Sequence, residues 1–544
     1  MTASAPVATF APFGNRKFLA YWLTGLGSNF GWLIQMVGAS WLMTQLSGDP
    51  WMVALVQTSV AVPVMLFALP AGAAADALGR RTVVLWSQSF LLVFSVALAL
   101  AAWMGMLTPW VLLGFTFLIG SAKAVNNPGW QTMASELVER PLLPQAIALG
   151  SIGFNLARTV GPAIGGLIVA TVGASAAFVV NAFANIGVIF VARRWPRPER
   201  NPALPPEAVG AAIVAGLRYV AMSTPILVVL ARGAIFNFGG ISVMALMPVV
   251  ARDLLQGGAE LYGILLGAFG LGAVIGALAG NRLLHPFGLE TRVRIGFTLF
   301  AVGALGLALS RDLPLSLLAS MVAGASWLLT LSSFNTSVQM SAPRWVVSRC
   351  HALYQTACFA GMAAGGMLWG SIASRASISE SLAWSAGVML AGAAAGLLIG
   401  MRETDADTVD IDAAFRVPDT RLDLTPTSGP ILTLIEYHVP AENENAFRAA
   451  MVERRRTRLR QGARYWTLSR DIARPEIWCE RYKSANWAQT QRARARRSVA
   501  DAQLTQRVRD LCDPAQPPVI RYELVRQPAA APRPEDAIDR TIEH

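Results

Sequence analysis

Apolar runs of roughly twenty residues, separated by short polar stretches, recur along the first 400 residues; 82–104, 109–125 and 380–400 are examples. A helix needs about 20 apolar residues to cross a bilayer core of about 30 Å. The pattern therefore predicts membrane-spanning helices. Twelve spans are expected, at 18–46, 51–75, 82–104, 109–131, 145–171, 174–193, 224–250, 261–283, 293–310, 313–337, 350–373 and 380–400.

The composition supports an all-α polytopic membrane protein. The 544 residues are 54% hydrophobic and only 14% charged. The alternative, a large soluble helical protein, would need many more charges to cover its surface. The first fifteen residues have no Lys or Arg and no short apolar core, so no cleavable signal peptide is predicted there. The four cysteines have no CxxC spacing, and we expect free thiols and no metal site.

The basic residues predict the orientation of the helices. With the N-terminus in the cytoplasm, fifteen Lys and Arg before residue 401 fall in cytoplasmic segments and three fall outside. Lys123, Arg158 and Arg232 lie within predicted spans. Cytoplasmic loops carry the excess of Lys and Arg in membrane proteins. Both termini are therefore predicted to be cytoplasmic, in a bacterial-type inner membrane. The net charge of +12 reflects this topology and is poor evidence for nucleic-acid binding.

The spans divide into two halves of six helices. A Pro-rich charged segment, RRWPRPERNPALPPE, begins at 193 and predicts a cytoplasmic linker at 194–223 between domains 1–193 and 224–402. The halves repeat each other weakly. Asn126 corresponds to Asn335, and the same offset places Gly161 opposite Gly370. Internally repeated halves are common in secondary transporters.

After residue 402 the sequence becomes that of a soluble domain. Residues 403–429 predict an acidic linker, and 430–526 predict the order strand, helix, strand, strand, helix, strand. That order is typical of an α+β ferredoxin-like domain. The tail at 527–544 is expected to be disordered.

One short polar turn lies between spans 2 and 3, in LPAGAAADALGRR. It resembles the signature GxxxDRxGRR of the major facilitator superfamily, with Ala77 in place of the usual Arg. Glycine permits close packing and a tight turn, and the carboxylate can face the positive end of a helix. The resemblance implies a gate whose contact with span 11 depends on the transport state. The residues of this motif are Gly72, Asp76, Gly79, Arg80 and Arg81.

A second motif, ARTVGPAIGGLI, lies in span 5. It matches the GPxxGG motif of the exporter branches of that superfamily. Small residues four apart let helices approach closely, and proline bends a helix. We expect a packing face made by Gly161, Pro162, Gly165 and Gly166.

Polar residues within the spans are candidates for a substrate cavity, because ionisable groups in a membrane are costly and usually functional. For Arg232, a cavity role and snorkelling to the membrane surface are equally open. Asp76 is the only acidic residue expected near a span, so a cavity with Lys123 and Arg158 would be positive and would favour an anionic substrate. The candidates are Lys123, Asn126, Asn127, Asn155, Arg158, Arg232, Asn237 and Asn335.

As a whole, the chain resembles the transmembrane secretion effector branch of the major facilitator superfamily, which is related to enterobactin exporters. The most specific segment is ASELVERPLLPQAIALGSIGFNLARTVGPAIGG. Residues 430–526 resemble the antibiotic-biosynthesis monooxygenases and keep Trp487, Arg492 and Asp501. Fold similarity does not imply that chemistry. The resemblance implies a transporter without a cofactor and leaves open a homodimer through the C-terminal domain.

Two classes of function follow. The first is a secondary-active exporter that moves a small amphipathic molecule, such as a siderophore, drug or secondary metabolite, by alternating access; import is the alternative within transport. The second is a membrane-tethered sensor or enzyme that acts through 430–526. The expected partners are a small-molecule substrate and the lipid bilayer, with no nucleic acid.

Overall fold

The computed structural model describes residues 10–195, 209–284, 286–343, 345–401, 422–495 and 498–526. The predictions for 196–208, for most of the acidic linker and for the 527–544 tail lie outside this part, as does the side chain of Asp76. The chain forms two compact units. Unit 1 contains Met1–Arg200, Ser223–Ala342 and Val347–Thr404, and unit 2 contains Asn201–Met222, Pro343–Val346 and Asp405–His544.

Unit 1 is built from long helices joined by short turns. They are α1 (Arg16–Leu46), α2 (Pro50–Leu78), α3 (Arg80–Trp103), α4 (Pro109–Leu137), α5 (Leu143–Val172), α6 (Ala174–Arg193), α8 (Thr224–Val249), α9 (Ala259–Leu283), α10 (Leu289–Leu309), α11 (Leu313–Ser341), α12 (Val347–Arg375) and α13 (Ile378–Leu398). A shorter helix, α7 (Val209–Ala221), precedes α8 and belongs to unit 2.

Ten of the described helices are long and apolar enough to cross a membrane; α1 and α4 are not among them. Both are long, with 31 and 29 residues, but both carry polar side chains in the middle. Ser28 and Gln35 lie in α1, and Lys123 and Asn126 lie in α4. These polar residues lower the mean hydropathy of the two helices, and they contact neighbouring helices of unit 1.

Short turns make successive helices antiparallel, so the turns alternate between two ends of unit 1. We call the end with the turns after α2, α4 and α9 the basic face. The opposite end, with the turns after α1, α3 and α5, is the far face. Within the first half α1 packs on α5 and α6, and α2 packs on α4. The second half repeats this arrangement, and the two halves meet through α2 with α12 and through α5 with α9.

Unit 2 contains a four-stranded sheet covered by helices. Its elements are β1 (Ile431–His438), α14 (Glu444–Arg460), β2 (Arg464–Arg470), β3 (Ile477–Ser484), α15 (Trp487–Ala495), α16 (Val499–Asp510) and β4 (Val519–Leu524). The strand order is β2-β3-β1-β4, and every neighbouring pair is antiparallel. Residues of β1 alternate between buried and half-buried, as expected when one face of a sheet packs on helices.

The core of unit 2 lies between the sheet and the helices. Tyr437, Phe447, Met451 and Trp478 are buried there together with Val508. In the same unit, the guanidinium of Arg460 lies 5.3 Å from the ring centre of Tyr219 in α7. The ring of Trp345 meets that tyrosine edge-on at 5.7 Å. The segment between the two halves therefore contributes a helix to unit 2.

Candidate functional site

Arg158 lies in the middle of α5, where that helix meets α9 of the other half. Its guanidinium is 5.8 Å from the ring centre of Phe269. A Cβ atom on Gly270 would lie 2.8 Å from the Arg158 carbonyl oxygen, so the two backbones are in close contact. The side chain is partly exposed. Within the described part of the chain, no residue forms a hydrogen bond or an ion pair with its guanidinium.

Lys123 lies fourteen residues from either end of α4, which places it at the middle of that helix. Its Nζ atom is 3.4 Å from the hydroxyl oxygen of Ser28 in α1. The Ser28 hydroxyl in turn donates to Oδ1 of Asn185 at 2.8 Å. A chain of hydrogen bonds continues from there through Asn181 to Gln35 and Ser95. Because the Ser28 hydroxyl donates its hydrogen bond to Asn185, its oxygen is left to accept a hydrogen bond from the Lys123 ammonium group.

The five asparagine candidates occupy different environments. Asn126 is buried and accepts from the Ser87 hydroxyl, and Asn237 is buried and donates to the Gly233 carbonyl. Both side chains are therefore used in helix packing. Asn127 is exposed, and Asn155 is partly exposed one turn before Arg158. Asn335 donates to the Leu331 carbonyl, and its buried Oδ1 has no partner among the described residues.

Arg232 in α8 is 3% exposed and forms an ion pair with Glu290 at 3.0 Å. It also donates to the Ile399 carbonyl at 3.3 Å, and Glu290 accepts from the Met401 backbone nitrogen at 2.8 Å. The pair therefore ties α8 to the start of α10 and to the chain after α13. The structure places Arg232 in the packing of the second half, which is neither of the two roles that the sequence left open.

The sequence expectation that Asp76 is the only carboxylate near a span needs correction. Four described helices of unit 1 carry a Glu near one end: α4 includes Glu136, α9 includes Glu260, α10 includes Glu290 and α13 includes Glu380. Each of these lies within the first or last turns of its helix. The middles of the helices carry no Asp or Glu.

The glycine motif of α5 packs against two different neighbours. A Cβ at Gly165 would lie 3.1 Å from the Ile34 backbone of α1, and Gly161 faces Leu33 of the same helix. Gly166 instead meets Gly263 of α9, where a Cβ would lie 2.9 Å from the opposing Cα atom. Pro162 is buried beside this contact. The motif therefore joins α5 to its own half and to the other half.

The turn at the basic face is anchored within the first half. Gly79 has a φ of 91°, which only glycine adopts readily, and it separates α2 from α3. Arg80 forms an ion pair with Glu136, and Arg81 donates to the Arg193 carbonyl at 2.7 Å. A Cβ at Gly72 would meet no atom of the described side chains and backbone within 4 Å, so this glycine makes no close contact with that part of the chain.

The interior of unit 2 contains a fully buried carboxylate, Glu480. It accepts hydrogen bonds from Arg454, Arg458, Tyr437 and the indole nitrogen of Trp466. Burial alone would raise the pKa of Glu480, but the two arginines and these hydrogen bonds outweigh it and lower the pKa to about 2. The carboxylate is therefore ionised and already satisfied by the fold.

The monooxygenase-like residues of unit 2 also have structural partners. Asp501 closes a capping box with Ser498 at the start of α16 and accepts from Arg460 and Gln461. Trp487 is buried and meets Tyr522 edge-on. Among the described residues, no group of three or more His, Cys, Asp or Glu side chains is arranged to hold a metal ion.

Sequence reasoning missed two features of unit 1. The network of Ser28, Asn181 and Asn185 was missed because single amides in helices usually make packing contacts. The Arg232–Glu290 pair was missed because Glu290 precedes the apolar run of its helix. The sequence signal for this ion pair would have been an arginine within one apolar run and a glutamate just before another apolar run.

The family model for the transmembrane secretion effectors matches residues 7–529. The chain belongs to this family. The match includes both compact units. A transmembrane secretion effector is a transporter of the major facilitator superfamily and not an enzyme, and this member is a multi-pass protein of the bacterial inner membrane.

Curated relatives include exporters from several bacteria. The multidrug efflux pump Tap of Mycolicibacterium fortuitum is 29% identical over 68% of this chain and 93% of that protein. The staphyloferrin A transporter of Staphylococcus aureus is 24% identical over 50% of this chain and 69% of that protein. The enterobactin exporter EntS of Shigella boydii serotype 4 is 26% identical over 59% and 77%.

Solved structures share the fold of unit 1. The POT family transporter PepTSo has a TM-score of 0.60 and 12% identity over 71% of this chain and 97% of that chain. A bacterial homologue of the lysosomal transporter Spinster has a TM-score of 0.54 and 13% identity over 72% and 96%. At these identities the likeness concerns the fold alone. The predicted major facilitator fold is thereby confirmed.

Proposed function

We propose that this chain is a secondary-active exporter that works by alternating access and moves a small amphipathic anion, such as a siderophore, drug or secondary metabolite, out of the cytoplasm. The observation that carries the proposal is Arg158. Its guanidinium lies at mid-depth beside Phe269 of the other half, and the residue is partly exposed. Among the described residues, the guanidinium has no hydrogen-bond or ion-pair partner. A partly exposed charge at this depth is costly unless it lines an aqueous cavity or meets an opposite charge.

The charge of the helix middles favours a negative substrate. Lys123 is a second cation at mid-depth, and its described hydrogen-bond partner is a neutral hydroxyl. Asp and Glu are confined to the helix ends. An anionic group on the substrate would supply the negative charge that is absent from the middles of the helices. Arg158, Lys123 and Asn155 are therefore the residues proposed to contact it, whereas Arg232 is excluded because Glu290 already neutralises it.

Two observations and one physical argument support export over import. The relatives include a multidrug efflux pump and enterobactin exporters. The glycine motif of α5 is of the type found in exporter branches, and it packs on α9 as an interface between halves requires. An inside-negative potential also favours the outward movement of an anion, by about 2.3 kcal/mol per charge and 100 mV.

We take the chain to have twelve spans, with the basic face and both termini in the cytoplasm. The proposed cycle then needs a contact at the basic face that forms in one transport state and breaks in the other. Gly72 makes no close contact with the described residues in the present conformation. Asp76, in the same turn of the chain, would meet the positive N-terminal end of α12 when the basic face closes. Asp76→Asn should therefore increase the accessibility of cysteines introduced at the basic face. Unchanged accessibility would argue against this gate.

The C-terminal unit is proposed to be a ferredoxin-like domain that accompanies the transporter. Its strand order β2-β3-β1-β4 and antiparallel pairs support that assignment. A sensor role for this domain, and a homodimer through it, are proposals that truncation would test. A chain ended after residue 402 should still export its substrate. Loss of export from a truncated protein that is still folded in the membrane would favour the sensor.

The experiment that tests export uses a strain from which the gene is deleted. Metabolites in cells and medium, and sensitivity to a panel of drugs, are compared with and without the wild-type gene. The deletion strain should retain a compound that the wild-type gene returns to the medium. A compound that accumulates in the medium of the deletion strain would instead indicate import.

A further inference from the structure

At the far face, the end of α8 leaves regular α-helical geometry. Residues Val250–Leu254 form a π-helical turn, and Gln256 has a φ of 52°. Both features are uncommon and cost free energy, and both are often found at functional sites. This turn holds Arg252, which the transport site described above does not use.

The Arg252 side chain joins the two halves. One guanidinium nitrogen, Nη1, donates to the Thr44 carbonyl at 2.8 Å, and Nη2 donates to the Gly48 carbonyl at 2.9 Å. The Thr44 carbonyl belongs to the last turn of α1 and the Gly48 carbonyl to the turn that follows it, both in the first half, whereas Arg252 follows α8 in the second half. The C-terminal end of a helix carries partial negative charge and carbonyls that lack helical partners, so a guanidinium is well suited to bind it.

Asp253 holds this guanidinium from the other side. Its Oδ1 accepts from Nε at 2.5 Å and its Oδ2 from Nη2 at 2.8 Å. The arginine therefore keeps a charged partner within its own half when its bonds to α1 break. Separating the halves would expose two carbonyls to water but would not leave an unpaired charge.

The neighbouring contacts between halves have a different character. Gly166 against Gly263, and Gly370 against Ala54, are close contacts between small residues that involve no side-chain hydrogen bond. Such surfaces can rock apart and return. The two hydrogen bonds of Arg252 depend on direction and distance, so they cannot follow the separation of α1 from α8.

We propose that Arg252 is the latch that holds the far face closed, and that Asp253 positions it. The inference rests on the alternating access of the proposed function, and it adds a state-dependent contact at the face opposite Asp76. Breaking the latch should favour the conformation that is open at the far face, whether or not substrate is bound.

The test measures distances between spin labels in the purified full-length protein, in a background without the native cysteines. The far-face pair is Met106→Cys and Ala376→Cys, one label in each half, at exposed positions. The basic-face pair is Glu139→Cys and Gly288→Cys, chosen in the same way. Arg252→Ala should increase the ratio of long to short far-face distances at least tenfold. Arg252→Lys should also increase it, because one ammonium cannot serve both carbonyls in the same way.

The matched control is Arg311→Ala. Arg311 is also an arginine at the far face, but its guanidinium donates to Ala308, Ser310 and Ser379 in its own half. This variant should leave the distance ratio within twofold of wild type. Equal ratios for Arg252→Ala and Arg311→Ala would overturn the latch, provided that the basic-face pair still reports two conformations. A single distance at both faces in every variant would instead overturn alternating access itself.

Discussion

Arg158 and Arg232 are arginines within long helices of opposite halves, and their surroundings differ. Arg232 is buried, pairs with Glu290 and donates to the Ile399 carbonyl after α13, so its charge is neutralised by the fold. Arg158 faces the ring of Phe269 and has no ion-pair partner in the described part of the chain. The difference distinguishes a charge that stabilises the fold from a charge that is free to bind a ligand. A charge that the fold has paired contributes to packing, whereas an unpaired charge can bind a ligand.

Removal of Arg232 should have the largest effect, and it should be on stability. Removing one partner of a buried ion pair costs about 3–5 kcal/mol, because the other charge is left unpaired. Glu290 is 21% exposed, which places the expectation near the lower end. Unfolding of the purified Arg232→Ala protein should report this loss, whereas Arg158→Ala should change stability by less than about 1 kcal/mol. Similar losses for both variants would contradict the distinction.

Glu480 extends the same comparison to unit 2, because it is a paired charge like Arg232. Its pKa of about 2, against an ordinary value of 4.5, corresponds to roughly 3 kcal/mol of stability. A lowered carboxyl pKa stabilises the folded state above the unfolded pKa, and this stabilisation is lost as the pH falls from about 4.5 towards 2. The difference in melting temperature between wild type and Glu480→Gln should therefore be largest above pH 4.5 and should shrink below it. A difference that stays constant from pH 7 to pH 3 would disagree.

Arg158→Gln should reduce transport while leaving the fold intact. A hydrogen bond to a charged group contributes about 1.5–3 kcal/mol, which corresponds to roughly a 10–100-fold loss of export. Efflux from cells that carry equal amounts of folded protein measures it. Glutamine keeps the length and polarity of the side chain, so a large loss would be due to the charge. Full activity of this variant would show that the substrate does not need that charge.

The two aromatic rings should show the smallest effects. A cation–π contact contributes about 0.5–1 kcal/mol at a partly exposed site. Phe269→Leu should therefore lower export by roughly threefold. Phe297 lies 5.3 Å from the guanidinium of Arg232, and Phe297→Leu is the matched control. It should lower the melting temperature more than it lowers export. The reverse pattern would mean that the roles of the two arginines have been exchanged.

Much of the architecture could be predicted from the sequence because a bilayer imposes a simple rule. Spans need about 20 apolar residues, and the runs in 82–104 and 380–400 correspond to α3 and α13. The ends of the helices could not be predicted in this way. The α4 helix continues past its apolar run to Leu137, where Glu136 binds Arg80 and the indole nitrogen of Trp195. Polar residues at a membrane surface can stay helical when such partners satisfy them.

The candidate site was only partly accessible to sequence reasoning. Ionisable residues stand out in an apolar run, so Lys123, Arg158 and Arg232 could be recognised as candidates from the sequence. Which of them is paired depends on contacts between residues far apart in sequence. Glu290 lies 58 positions after Arg232, and Asn185 lies 157 positions after Ser28. Periodicity along one helix carries no information about such partners.

The most direct measurement is of the charge of the exported compound. A strain that lacks the gene is complemented with wild type, with Arg158→Gln or with Arg158→Lys, and the compounds released to the medium are identified and sorted by their net charge at pH 7. We expect the compounds that wild type releases to be anions. Export should fall at least tenfold with Arg158→Gln and be partly retained with Arg158→Lys. Export of neutral or cationic compounds, at the same rate with glutamine as with arginine, would contradict an anion exporter whose binding site is centred on Arg158.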